Sequence, residues 1–124
     1  LELPVLAGVV QTLKINHERT EAALTDELLA TDLADYLVRK GVPFRRSHHI
    51  VGEVVRAAIA RECGLCDLST EDYQAVSAHF ADDVGAVLDF RASVERRDVI
   101  GGTATSSVKV QIAQAREFLK SSNE

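Results

Sequence analysis

The stretch Ala30–Gly52, ATDLADYLVRKGVPFRRSHHIVG, writes a helix, a stop and a second helix start in quick succession. Leu33, Tyr36 and Leu37 recur at helical spacing, with Ala34 beside them. Thr31 or Asp32 can offer a side-chain oxygen to an unpaired N–H at the helix start. Arg39 and Lys40 fall in the last turn, where positive charge suits the helix dipole. Gly41 can take the left-handed conformation that ends a helix. Pro43 cannot prolong that helix but fits the first turn of another. A chain with this corner is committed to packing helix on helix.

The rest of the chain agrees. Leu1 to Lys14 is apolar, led by Leu3, Val5, Leu6, Val9, Val10 and Leu13, and wants burial nearly all round. That suits the end of a core helix in an oligomeric bundle better than a helix buried within this chain alone. Asn16 is expected to cap a short helix over His17 to Leu24, and Thr25 to Ala30 to link it to a helix over Thr31 to Lys40. The next helix is expected from Pro43 to Cys63, closed by Gly64, with Phe44, Ile50, Val51, Val54, Val55, Ala58 and Ile59 as its stripe. Thr70 with Glu71 and Asp72 opens a short helix with Tyr73, Val76 and Phe80 inward. Asp82 and Asp83 begin a turn or two through Leu88, and Phe90 to Glu95 is a brief helical piece. Arg96 to Gly102 reads as loop. Thr105, Ser106 or Ser107 caps a last helix with Val108, Ile112, Ala115 and Leu119 on one face, and Ser121 to Glu124 is a fraying tail. No strand pair is expected. The fold class is all-α: a compact cluster of about six helices preceded by the end of a longer one.

The net charge of -5, with Lys and Arg scattered, argues against a nucleic-acid footprint. No apolar run is long enough for a membrane span. Two cysteines fit a reducing compartment. A first residue that is Leu rather than Met is read as a sign of a fragment.

Candidate chemistry is sparse. Cys63 and Cys66 form a lone CxxC, read as two reduced structural thiols rather than half a zinc site. His48 and His49 are adjacent on a helix and point about 100° apart, so one is expected to pack inward or hydrogen-bond to a neighbouring backbone and the other to face solvent. Asp32 is expected at its helix N-terminus, and Asp35 in an i, i+4 ion pair with Arg39. Gly101-Gly102-Thr103-Ala104 is read as a turn docking the last helix rather than an anion cradle.

Three segments carry a resemblance. Ala30–Gly52, TLKINHERTEAAL (Thr12 to Leu24) and SVERRDVIGGTATSSVKVQI (Ser93 to Ile112) closely resemble the C-terminal domain of the argininosuccinate lyase and δ-crystallin family. Leu68 to Val84 matches in pattern more than in wording. The resemblance implies a homotetrameric relative of fumarase and aspartase. Such an enzyme cleaves argininosuccinate to arginine and fumarate by β-elimination, without metal or organic cofactor. It also implies residues 1–24 as the end of the central helical domain and 25–124 as the C-terminal all-α domain. The family's serine loop of GSSxMPxKxNP type, its histidine motif and its Tyr/Gln/Lys substrate segment do not occur in this sequence. No catalytic, cofactor-binding or metal residue is therefore assigned, and this part alone is expected to be inactive. The expected role is to cover the open end of the central domain and help close the cleft. The compartment expected is the cytoplasm, or an organelle. A crystallin-like structural paralogue and a stand-alone helical interaction module remain as other readings.

Overall fold

The structure, a computed structural model, describes residues 2–121. Of the tail expected to fray, Ser121 instead ends the last helix; residues 122–124 and the first residue of the apolar segment lie outside the described residues. Among the described residues seven α-helices follow one another: α1 (Glu2–Thr12), α2 (His17–Ala22), α3 (Ala30–Arg39), α4 (Phe44–Ala60), α5 (Thr70–Val76), α6 (Phe90–Glu95) and α7 (Thr105–Ser121). Three 3-10 turns, Asp26–Leu29, Leu65–Asp67 and Val84–Val87, join them, with no strand among the described residues.

The corner between α3 and α4 organises the core. Gly41 adopts φ 88°, and the Val42 N–H reaches back to the Leu37 carbonyl at 3.0 Å while the Gly41 N–H reaches Val38 at 2.9 Å. These paired bonds satisfy carbonyls that a helix end leaves open. Pro43 stands just before α4. The reversal lays Leu33, Leu37 and Ala34 of α3 against Ile50, Val51, Val54 and Ala58 of α4. Each buried Leu or Val contributes roughly 1.5–3 kcal/mol relative to exposure. Val42, Leu65, Tyr73, Phe80, Val84 and Val87 close the same cluster.

Aromatic rings fix the next layer. Phe80 stacks on Tyr36 with centroids 6.0 Å apart and meets Tyr73 edge-on at 5.2 Å. The Tyr73 hydroxyl donates to the Leu65 carbonyl at 2.7 Å, which ties α5 to the turn before it.

Several boundaries differ from the expected ones. Neither Thr31 nor Asp32 caps α3, because the 3-10 turn over Asp26–Leu29 runs directly into it and Leu29 occupies the cap position. Helix α2 does begin under the Asn16 cap, whose side chain accepts from the Arg19 N–H at 3.0 Å, but it ends at Ala22. Helix α4 ends at Ala60, where Glu62 rather than Gly64 takes the left-handed conformation, at φ 54°. Gly64 serves another purpose: a Cβ there would collide with the Asp26 carboxylate. Ser69, not Thr70, caps α5. Its hydroxyl accepts from the Asp72 N–H at 3.2 Å, and the Asp72 carboxylate accepts from the Ser69 N–H at 2.9 Å. Phe80 is buried as expected but sits in the loop after α5 rather than on it.

The two outer helices are the largest departure. Helix α1 has no buried residue, and Leu3, Val5, Leu6, Val9 and Val10 are all more than half exposed. Helix α7 buries only Ser107, so the expected face of Val108, Ile112, Ala115 and Leu119 stands exposed. Neither helix contributes a residue to the buried cluster.

Truncating Leu37 to Ala is expected to cost about 2–5 kcal/mol, because it removes methylenes from a fully enclosed site. Gly41→Ala is expected to cost about 1–2 kcal/mol through backbone strain alone. Urea titrations of the two variants measure both, and a Gly41→Ala variant as stable as the parent would refute the turn argument.

Candidate functional site

Asp32 is the polar centre of the molecule. In the first turn of α3 it faces inward at 3 % exposure, and an unmatched carboxylate there would be costly. Helix α6 and the residues after it supply the match. The Ser93 hydroxyl donates to Asp32 Oδ2 at 2.8 Å. Arg96 donates to Oδ1 from Nε at 3.3 Å and from Nη2 at 3.0 Å, a forked approach from one guanidinium. Arg97 Nη2 stands 3.5 Å from Oδ2. Arg96 Nη2 also donates to the Val87 carbonyl at 2.8 Å, and Arg97 Nη1 donates to the Ser93 hydroxyl at 2.7 Å and to the Ser93 carbonyl.

Burial pushes the Asp32 carboxyl up, but the hydrogen bonds from Ser93 and Arg96 and the Arg97 charge outweigh it. The group is held below the usual carboxylate range. A carboxylate so enclosed and so saturated with donors is a poor general base. Its use is to bind α6 to α3.

A second polar tie runs parallel. The Tyr36 hydroxyl donates to Asp83 Oδ1 and accepts from the Ala81 N–H at 3.1 Å. Lys40 Nζ lies 3.1 Å from the same carboxylate and 4.4 Å from the centre of the Tyr36 ring.

The turn after α6 is held just as closely. Gly101 has φ 80°, and a Cβ on Gly102 would overlap the Arg97 carbonyl. Gln111 Nε2 donates to the Gly102 carbonyl at 3.0 Å. Ser106 and Ser107 fall in the first turn of α7, which begins at Thr105, rather than at its cap. Their hydroxyls donate to Asp98 Oδ1 at 2.7 and 3.0 Å, while Glu95 accepts from the Thr105 hydroxyl and N–H. The Asp98 and Glu95 carboxylates thus occupy the start of α7, where the dipole favours negative charge.

The other sequence candidates are dispersed. His48 and His49 are both exposed, contrary to the expectation that one packs inward. The inward place in that turn belongs to Ser47, whose buried hydroxyl donates to the Val42 and Pro43 carbonyls at 3.3 Å. His49 Nδ1 lies 3.7 Å from Glu53, and His48 tilts against Phe44. Asp35 forms no ion pair with Arg39 among the described residues. Both are exposed, where such a pair contributes only a few tenths of a kcal/mol. Asp32 does lie in the first turn of its helix as expected, but its carboxylate pairs inward instead of capping that end. The Cys63 and Cys66 thiols point to different carbonyls, those of Ala58 and Leu88. Burial and the nearby Asp26 push the Cys66 thiol up to about 11, so it is protonated near neutral pH and a weak nucleophile. No group of three or more His, Cys, Asp or Glu placed to hold a metal occurs among the described residues.

Sequence reasoning missed the partners of Asp32. Ser93, Arg96 and Arg97 all lie in SVERRD, a segment singled out for its wording. The signal was there: an inward-facing Asp on an apolar face demands cations from elsewhere.

Fold and site together define a compact all-α domain whose buried polar groups serve its own architecture. The family model described as "Argininosuccinate lyase C-terminal" matches residues 27–95, and the chain belongs to that family. An argininosuccinate lyase of Candida albicans is 51% identical over 116 residues, covering 93% of this chain and 25% of the relative. One from Chlamydomonas reinhardtii is 48% identical, over 93% of this chain and 24% of the relative. One from Roseiflexus is 52% identical, over 97% and 26%. The chain therefore spans about a quarter of the length of the curated relatives it matches.

The depressed Asp32 group gives stability a sign in pH. Its contribution is fully present above the unfolded carboxylate pKa and is lost as pH falls through the lower folded value. Asp32→Asn is expected to cost about 2–3 kcal/mol at neutral pH by leaving Arg96 short of a charge partner. The loss should shrink as acid protonates the parent. Urea midpoints of both proteins across an acid-to-neutral series measure this, and a pH-independent difference would count against the assignment.

Proposed function

We propose that this chain serves as the C-terminal domain of an argininosuccinate lyase, an enzyme that splits argininosuccinate into arginine and fumarate. The observation that carries the reading is identity of about one half across nearly the whole chain to proteins bearing that name. The chemistry is a β-elimination: a base takes a proton beside a carboxylate, and the charge that develops must be stabilised before the C–N bond breaks. The groups that do this belong to the rest of the enzyme. Metal and organic cofactor have no part in the scheme.

The domain's own work is structural. The exposed apolar α1 suits the end of a longer helix packed in a homotetrameric bundle. The α3–α4 corner and the arginine-held turn before α7 form a stiff body that covers the bundle's open end. As it settles over the cleft, water is excluded and the reacting groups are held in place. The cytoplasm is the compartment proposed. No helix among the described residues is long and apolar enough to cross a membrane.

The test is a chimera. Replacing the matching quarter of the Candida albicans relative with this chain should give a tetramer that releases fumarate, read by its ultraviolet absorbance. A tetramer without turnover would refute the cleft role, and failure to assemble would refute the structural one. The 124-residue chain by itself is expected to release no fumarate, and release would refute the division of labour.

A further inference from the structure

Between α3 and α4, floored by the core residues Ala34 and Val51, lies a groove of about 410 Å³. Its volume falls in the range of small-molecule sites. Small residues create it: Ala30 and Ala34 on one side face Gly52 on the other. A Cβ on Gly52 would meet only Arg56 Nη1, at 3.7 Å. The space above Gly52 is therefore vacant, and a side chain would fit it without moving the backbone. Phe44 forms one wall and is 63% exposed, a large aromatic surface left to water in an otherwise well-packed corner.

The rim is cationic or hydrogen-bond donating. His48 stands beside Phe44 at one end, with ring centroids 6.5 Å apart, and Arg56 stands two helical turns further on. Neither side chain, nor the Thr31 hydroxyl opposite, has a hydrogen-bond or ion-pair partner among the described residues. No carboxylate lines the groove. Arg45 and Arg46 add exposed positive charge at the Phe44 end. In a chain of net charge -5 this is a local reversal of sign.

We propose that this groove binds a small amphiphilic carboxylate, an alkyl or aryl chain ending in one carboxylate. The apolar chain lies over Ala34 and Gly52 against Phe44, and the carboxylate meets the Arg56 guanidinium, whose fork suits it. The charge pattern argues against a second copy as occupant, because two such rims would bring Arg56, Arg45 and Arg46 of both copies together. It argues equally against a cationic or wholly apolar ligand.

Sodium octanoate is the probe, with octanol and octylamine as controls of similar apolar length, followed by amide NMR of the 124-residue chain. Octanoate is expected to shift resonances at Ala34, Gly52, Val55 and Arg56 and to bind about fivefold more tightly than octanol, in keeping with one exposed charge contact. Arg56→Gln should remove that preference while leaving octanol binding unchanged. Gly52→Leu should abolish binding of both. Arg56 is exposed, so its substitution remains informative should the Gly52 variant fold poorly. Equal binding of octanol or octylamine, shifts spread over α1 and α7, or binding that survives Gly52→Leu in a folded protein would each overturn the proposal. So would silence toward octanoate alongside binding of an acidic amphipathic helical peptide.

Discussion

A carboxylate buried near the start of α3 has to be matched, and the later part of the chain is arranged around matching it. Removing Asp32 from water carries a desolvation cost that only well-placed donors offset. Ser93, Arg96 and Arg97 supply them from one short helix and its end. Arg96 and Arg97 keep part of their surface in solvent, which lowers their own share of that cost. Once Arg96 is seated on Asp32 and the Val87 carbonyl, the direction of the chain beyond it is set. The glycine turn and the start of α7 inherit that direction.

The corner at Gly41 was legible because its causes are local. A positive-φ glycine, a following proline and a helical stripe all act within a few residues. The Asn16 cap and the brief α6 were legible for the same reason. The node at Asp32 was not, because its partners lie more than sixty residues away and periodicity reports only neighbours. Reading Asp32 as a cap was reasonable locally and lost to a tertiary demand. Gly64 misled in the same way. Its lack of a side chain answers Asp26, not the end of α4, and Glu62 bears the unusual backbone angle instead. The stripe on α7 was read correctly as a stripe, but a stripe does not say what covers it.

The contrast between inner and outer helices says how the domain divides its labour. Helices α3 and α4 spend their apolar residues on each other and on the aromatic layer of Tyr36, Tyr73 and Phe80. Helices α1 and α7 keep theirs outward. Exposed apolar surface on this scale suits contact with further protein, as the proposed role within a larger enzyme requires.

The tie from Asp32 to Arg96 closes a loop of 64 residues without a covalent bond. The entropy of such a closure grows only with the logarithm of loop length. A few residues added to or removed from the surface turns between α4 and α6 would therefore change the cost of closure very little. One residue gained or lost within α6 is another matter. It would swing Arg96 by about 100° around the helix and carry the guanidinium away from its carboxylate. The domain is thus lenient about length where the chain wanders and strict about phase where it clasps, so insertions and deletions should be tolerated by position rather than by size.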